Sequence, residues 1–207
     1  MKRSALILMA LVCLSMSVVI SCKKDDPEPN PEPPKPPVAG PNQVLDSRDN
    51  QIYNTVTIGT QVWMAQNLNY NLTGSLCPAG SADSCAKYGR LYNSTQLTGV
   101  AISGWHVPTE ADWQKLELHY GMSQAEIDVV NVGVRGNKRD SIIAGKPFNA
   151  LYAGYYNSSN YINNGTAVGF WTSNTFFRQI STNDLSINKY DGNGETDRYI
   201  SIRLIKD

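Results

Sequence analysis

The residues of this chain that could carry out enzyme chemistry have no catalytic spacing. It has two histidines, His106 and His119, and neither belongs to a Ser-His-Asp arrangement or lies near a glycine-rich phosphate loop. The carboxylates are scattered along the sequence. His119 comes at the end of a predicted helix, where the helix dipole favours a cation. The sequence therefore predicts no catalytic residue and no cofactor.

One acidic segment has the ligand types of a calcium loop. Its oxygen-bearing residues alternate along the chain: Asp191, Asn193, Glu195 and Asp197. Calcium loops of this kind need glycine at the sixth position and glutamate at the twelfth. Here those positions hold Thr196 and Ile202. Two glycines among polar residues also make a hairpin turn, and this interpretation is favoured over a metal site.

The segment over residues 149–177 is rich in aromatic and amide residues and is the best candidate for binding. Aromatic faces stack on the apolar faces of sugars and amides bond their hydroxyls, while the same aromatic residues are enriched in protein interfaces. Phe170 and Trp171 of this segment suit a core equally well. The predicted ligand is a glycan or a protein, and the predicted ligand-binding residues are Tyr152, Tyr155, Tyr156, Tyr161, Asn157 and Asn160.

The N-terminus predicts export and lipidation. After Met-Lys-Arg comes an apolar run over residues 5–20, too short to span a bilayer comfortably, and Ser21 is the small residue expected before a cut. Val19-Ile20-Ser21-Cys22 resembles a bacterial lipobox, in which the cysteine thiol is lipidated. We expect residues 1–21 to be removed as a signal peptide and acyl chains on Cys22 to anchor the protein to a membrane. An ordinary signal peptide with a chance cysteine is the alternative.

Residues 22–41 predict a linker that projects from the membrane. Lys23-Lys24-Asp25-Asp26 resembles the signal that sends lipoproteins of Bacteroidetes-type bacteria to the outer face of the outer membrane. The predicted location is therefore the outer membrane, with the domain exposed at the cell surface, and a solvated charge run without a sorting role is the alternative interpretation of these four residues. Residues 27–37 read PEPNPEPPKPP, which excludes helix and sheet and favours an extended polyproline stalk.

Two cysteines remain for the folded part. Cys13 leaves with the signal and Cys22 takes lipid, so Cys77 and Cys85 are left in a compartment that permits disulfides. Two thiols without nearby histidines are half of a zinc site. A disulfide is therefore predicted.

Residues 42–207 are long enough for a single core and carry almost no net charge, with 13 basic and 14 acidic residues. Such a balance argues against nucleic acid as a partner. The pattern predicts a hairpin from Tyr53 to Met64, a helix that starts at Thr109, a short helix announced by the capping box of Ser123 and Glu126, and a final strand that alternates from Tyr199 to Leu204. These elements indicate an α+β domain.

Three groups of segments resemble one known family. Asp46–Tyr53, Val56–Gly59 and Trp63–Leu68 are similar to the opening of the Fibrobacter succinogenes major paralogous domain, and Cys85–Tyr92 and Gly104–Trp113 are similar to its centre. Gly169–Ser173 and Ser201–Asp207 resemble its end. The family usually has Cys-Pro where this chain has Ala101-Ile102-Ser103, and a cysteine where it has Leu204, which suggests that one disulfide has been lost.

The resemblance implies a compact C-type-lectin-like domain over residues 42–207, similar in its helix motif to formylglycine-generating enzymes. It transfers no chemistry, since those enzymes use late cysteines and this chain has none after Cys85. His106 lies in the family motif at the helix entry and is expected to orient the turn by hydrogen bonding. The function expected is a surface lipoprotein that displays a non-catalytic binding domain, with a structural or adhesive component as the alternative. Asp140-Ser141-Ile142 also resembles an O-glycosylation motif of exported proteins.

Overall fold

The computed structural model describes residues 35–130, 135–143 and 145–207, so that Cys22, the predicted signal peptide and most of the predicted stalk lie outside the described residues. Pro36–Asp207 form one compact unit. Its described α-helices are all short: α1 (Ala82–Tyr88), α2 (Glu110–His119), α3 (Gln124–Ile127) and α4 (Arg139–Ile142). Among the described residues, no helix is long and apolar enough to cross a membrane.

Twelve short strands are described. In chain order they are β1 (Gln43–Asp46), β2 (Gln51–Ile58), β3 (Gln61–Met64), β4 (Leu91–Tyr92), β5 (Trp105–His106), β6 (Tyr155–Asn157), β7 (Asn160–Ile162), β8 (Ala167–Trp171), β9 (Phe176–Ser181), β10 (Asn188–Asp191), β11 (Ile200–Ser201) and β12 (Ile205–Lys206). The first sheet has the order β1-β2-β3-β12-β5 and the second the order β10-β9-β8-β11-β4, while β6 and β7 form a separate hairpin. Apart from the parallel pair of β11 and β8, the strand pairs are antiparallel. The mixed helices and mainly antiparallel sheets confirm the predicted α+β class, whereas the C-type-lectin-like fold stays a prediction.

The first predicted hairpin is confirmed as β2 and β3. Val56 pairs with Trp63, and the chain reverses at Gly59 and Thr60. Gly59 has a φ of 60°, which glycine adopts without the steric cost of a side chain. The hairpin brings Trp63 into the core, where its side chain is fully buried.

Both predicted helix starts are confirmed. Thr109 precedes α2 and forms a capping box with Asp112, and Ser123 precedes α3 and forms the same box with Glu126. In each box the hydroxyl accepts from the backbone amide three residues on, and the carboxylate accepts from the cap's own amide. These bonds satisfy amides that the first helical turn leaves without partners.

The prediction of a single final strand from Tyr199 to Leu204 was wrong. The chain forms β11 in the second sheet, leaves it, and forms β12 in the first. Ser201 and Arg203, which alternation would place outside, are both buried. Elements of both sheets cover this crossing segment, so it has no solvent face and alternation carries no information there.

The core has two apolar clusters. One is built around four aromatic rings in mutual edge or tilted contact: Trp63, Trp113, Phe148 and Phe170. The other contains Trp171, Phe177 and Leu204. Phe170 and Trp171 are fully buried. They are therefore core residues, which was the alternative to a role in ligand binding.

Candidate functional site

The β6–β7 hairpin holds most of the predicted ligand-binding residues, and its register divides them between two faces. Tyr156 pairs with Tyr161, while Tyr155 pairs with Ile162 and Asn157 with Asn160. Because successive side chains of a strand point to opposite faces, the Tyr156–Tyr161 pair lies on one face and the other two pairs lie on the opposite one. The aromatic and amide groups that the sequence suggested as one set are thus not all on one surface.

The first face, which we call the aromatic face, consists of Tyr156, Tyr161 and Tyr199. The ring centroids of Tyr156 and Tyr161 are 5.0 Å apart, and those of Tyr156 and Tyr199 are 5.6 Å apart, both edge to face. Tyr156 and Tyr199 pack against the core, whereas Tyr161 is 41% exposed. A Cβ on Gly80 would lie 3.3 Å from the Tyr161 ring, so glycine at that position leaves room for the ring. The exposed ring is therefore supported from beneath by packed neighbours.

The opposite face of the hairpin is mixed, because Tyr155 packs against the second apolar cluster while Asn157 and Asn160 are amides. The Arg198 guanidinium carbon lies 5.4 Å from the centroid of the Tyr155 ring, and Asn163 donates a 3.3 Å hydrogen bond to the Tyr155 hydroxyl. Asn157 is half-buried and Asn160 is exposed beside the turn. Tyr152 precedes the hairpin and packs against the core, so it is not part of either face.

The turn of the hairpin is strained. Ser158 and Ser159 have φ values of 47° and 76°, and both belong to the left-handed region that glycine or asparagine normally occupies in such turns. The Ser158 hydroxyl donates to Asp197 at 3.0 Å and thereby ties the turn to the acidic segment. Strained residues of this kind persist where surrounding contacts hold them.

The acidic segment is a turn whose oxygen atoms are engaged separately. Asp191 accepts from the backbone amide of Asn193 at 2.8 Å, Glu195 forms an ion pair with Arg198, and Asp197 accepts from Ser158. In the described part of the chain no three His, Cys, Asp or Glu side chains lie close enough to hold a metal ion.

His106 links the entry of α2 to the chain end. Its Nδ1 lies 2.7 Å from Asp207 Oδ1 and its Nε2 lies 3.1 Å from Asp112 Oδ2. The same Asp112 oxygen accepts the 2.6 Å hydrogen bond of the Thr109 hydroxyl. Partial burial lowers the pKa of His106, but the hydrogen bonds to Asp207 and Asp112 outweigh this effect and raise the pKa above its ordinary value of 6.5. Both ring nitrogens are thus engaged by carboxylates, and the nearby hydroxyl bonds to a carboxylate.

The predicted disulfide is confirmed between Cys77 and Cys85, with a Cα–Cα distance of 4.9 Å. It ties α1, which contains Cys85, to the single helical turn Pro78–Gly80. Ser141, in the proposed glycosylation motif, lies half-buried in α4.

A buried charged network was missed by the sequence analysis. Glu117 on α2 is 0% exposed and accepts two hydrogen bonds from Arg135, at 3.1 and 3.0 Å, and one of 2.7 Å from Arg178 Nε. Burial opposes the charge of Arg178, but the carboxylates of Glu117 and Glu110 raise its pKa. Glu117 lies next to the buried Leu116 on α2, and this position was the only sequence signal for the network.

A polar cavity of about 230 Å³, which we call the amide pocket, was also missed. It opens between the start of β2, the segment after β3, and α1. The basic residues Lys87 and Arg203 line it together with five amide side chains: Gln51, Gln66, Asn67, Asn69 and Asn149.

Arg203 is the unusual residue of the amide pocket. It is 1% exposed, and it donates to Asn67 Oδ1 and the Phe148 carbonyl oxygen. Its guanidinium carbon lies 4.4 Å from the centroid of the Phe148 ring. No described carboxylate pairs with it, and its Nε has no hydrogen-bond partner among the described residues. Burial lowers the pKa of Arg203 to about 9, so it is still a cation at neutral pH.

Comparisons with known proteins identify the family. No curated protein and no solved structure matches the chain. The model of the Fibrobacter succinogenes major domain matches residues 56–206, which is more than two thirds of the sequence and runs from β2 to β12. By this match, the chain belongs to the Fibrobacter succinogenes major domain family.

Proposed function

We propose that this protein is a lipid-anchored lipoprotein of the outer membrane whose folded domain binds a glycan at the cell surface without catalysis. The observation that carries the binding proposal is the aromatic face, where Tyr161 is 41% exposed on a support of packed rings. A tyrosine ring held in this way offers an apolar surface on which the C–H face of a sugar can stack. Only two side-chain torsions need to be fixed when such a ring binds, so the entropic cost of ordering it is small.

The absence of catalysis is supported by the arrangement around His106. A histidine that acts as a general base needs a nucleophile or substrate proton within hydrogen-bond reach. Here both imidazole nitrogens face carboxylates, and the Thr109 hydroxyl donates to Asp112 instead of to the imidazole. This geometry suits a positioning role for His106 at the start of α2.

The binding proposal is tested on a glycan array with the full chain purified in detergent. Tyr161→Ala should weaken binding about tenfold or more, because aromatic anchors contribute much of the free energy of association. Tyr161→Phe keeps the ring and should retain binding. Leu118→Ala is the matched control, since Leu118 is a 47% exposed apolar residue on α2 and its loss should leave glycan binding unchanged.

Other outcomes would replace the proposal. If no glycan binds but crosslinking on whole cells captures one specific protein partner, the protein is a structural or adhesive surface component. Equal loss of binding in Tyr161→Ala and Leu118→Ala would show that binding does not occur at the aromatic face. If the protein turns over any substrate, and His106→Ala abolishes this turnover while the fold is retained, the domain is an enzyme.

Anchoring is tested separately through the predicted lipidation residue. Radiolabelled palmitate should be incorporated into the unchanged protein and not into Cys22→Ser, because the Cys22 thiol carries the acyl chains that supply the membrane affinity. Protease added to intact cells should degrade the unchanged protein if the domain is exposed at the surface. Equal labelling of Cys22→Ser and of the unchanged protein would contradict lipid anchoring.

A further inference from the structure

The amide pocket combines an unpaired buried cation with a buried acceptor. Arg203 Nε and Asn69 Oδ1 are both inaccessible to solvent and both lack a hydrogen-bond partner among the described residues. Both residues line the same cavity. Buried polar groups in folded proteins are normally satisfied by protein, water or a ligand. Because both atoms are closed off from the cavity, a ligand would bond to them only after the side chains of Arg203 and Asn69 shift toward it.

The charge of the cavity selects the sign of its ligand. Arg203 is buried among the carbonyl of Phe148, the amide oxygen of Asn67 and an aromatic ring, none of which carries a negative charge. Lys87 on α1 adds a second cation at the cavity. The Nη1 and Nη2 atoms of Arg203 already donate to neutral oxygens of Phe148, Asn67 and Asn149, which leaves its Nε–H as the donor for a carboxylate. A carboxylate is thus the group that would offset the burial of Arg203.

The remaining lining selects hydroxyl groups. Asn69 Oδ1 needs a donor, and the other amide side chains at the cavity can both donate to and accept from a hydroxyl. The cavity of about 230 Å³ is smaller than the pockets that hold drug-sized ligands, so it suits one small molecule and not a chain of sugars.

We propose that the amide pocket binds a small hydroxylated carboxylate, with Arg203 and Lys87 facing the carboxylate and Asn69 accepting from a hydroxyl. This site shares no residue with the aromatic face, so it stands or falls independently of the proposed function. The crossing of the chain from β11 to β12 places Arg203 at the cavity.

The test titrates the full chain in detergent with D-glucuronate, and with D-glucose as the same ring without a carboxylate. Calorimetry should show saturable binding of glucuronate and none of glucose at the same concentrations. In the ¹⁵N-labelled protein the arginine Nε–H resonance that Arg203→Lys removes should shift as glucuronate is added. The Nε–H resonance of an arginine with a purely structural role would not shift when glucuronate is added.

A charge reversal keeps the test decisive if Arg203→Lys does not fold. Lys87→Glu changes an exposed residue at the cavity and should weaken glucuronate binding about fivefold or more. Lys115→Glu makes the same charge change at an exposed position of α2 outside the amide pocket and should leave binding unchanged.

Three results would overturn the proposal. These are the absence of glucuronate binding at tens of millimolar, equal binding of glucose, and equal weakening by Lys87→Glu and Lys115→Glu. Glycan binding that depends on Tyr161 would be unaffected by any of them, so failure at the amide pocket can be told apart from failure at the aromatic face.

Discussion

At the scale of single residues, Glu117 is the anion on which two buried arginines depend. Glu117→Gln keeps the shape of the side chain but leaves Arg135 and Arg178 with less negative charge around them. Removing one partner of a buried ion pair costs about 3–5 kcal/mol, because a desolvated charge is left uncompensated. We expect a loss in this range in the free energy of unfolding measured by urea denaturation.

The control for Glu117 is an ion pair at the surface. Asp140 pairs with Arg139 at 2.9 Å and its side chain is 68% exposed. Asp140→Asn should change the free energy of unfolding by less than about 1 kcal/mol, since solvent screens such pairs. Similar costs for the two substitutions would mean that the Glu117 network does not behave as a buried one.

His106 makes stability depend on pH. Its pKa is raised in the folded state, so its stabilising effect is fully present below the unfolded value near 6.5 and is lost as the pH rises through the folded value. His106→Gln should therefore lower the free energy of unfolding more at pH 5.5 than at pH 8.5. The difference should stay below about 1 kcal/mol, because the site is partly exposed.

The partner Asp207 supplies the check on His106. Asp207→Asn removes one of the two carboxylates bonded to the imidazole, so His106→Gln in that background should show a smaller pH dependence. An equal cost of His106→Gln at both pH values would contradict the assignment.

At the scale of elements, α1 depends on the disulfide. Its seven residues are too few for an isolated helix to be stable in water. Replacing Cys77 and Cys85 with serine should lower the free energy of unfolding by roughly 2–3 kcal/mol, as expected for closing a short loop. Reductant should destabilise the unchanged protein by a similar amount and should not affect the double variant. A double variant as stable as the unchanged protein would show that α1 is held by packing alone.

At the scale of the whole molecule, the last eight residues, 200–207, connect the two sheets. β11 lies between β8 and β4 in the second sheet, and β12 lies between β3 and β5 in the first. Because one short segment serves both sheets, we expect the domain to unfold in one transition. Far-ultraviolet circular dichroism and tryptophan fluorescence should follow the same denaturation curve.

Truncation tests this connection directly. Deleting residues 205–207 removes β12 and should shift the common transition to lower urea concentration, while deleting Asp207 alone keeps β12 and should have a much smaller effect. Two separated transitions, or equal effects of the two deletions, would show that the sheets do not depend on the segment.

The features that the sequence predicted well are those whose causes lie within a few residues. A capping box needs only Thr109 and Asp112, or Ser123 and Glu126, three positions apart. The β2–β3 hairpin needs a turn between two alternating runs, and the Cys77–Cys85 disulfide follows from two cysteines close in sequence. Family resemblance extended this local information to nearly the whole domain.

The residues of the candidate sites were harder to predict because their environment comes from distant parts of the chain. The sequence pattern predicted the tyrosines of the hairpin as ligand-binding residues but placed Tyr156 and Asn157 in one site. The pairing register puts these two side chains on opposite faces. Where the resemblance leads one to expect Cys-Pro and a late cysteine, this chain has Ala101-Ile102-Ser103 and Leu204. Ile102 and Leu204 are both buried in the same apolar cluster, where they pack without a covalent bond.

By itself, then, the sequence determined the α+β class, the helix starts, the first hairpin, the disulfide and the family. Only the tertiary structure decided that Glu117 and Arg203 are buried and that the final segment crosses between sheets. The physical reason is that alternation and composition report how a residue's own strand or helix is oriented. Whether a charged side chain is buried also depends on which residues from distant parts of the chain cover it. Phe148 and Asn67 cover Arg203 in this way.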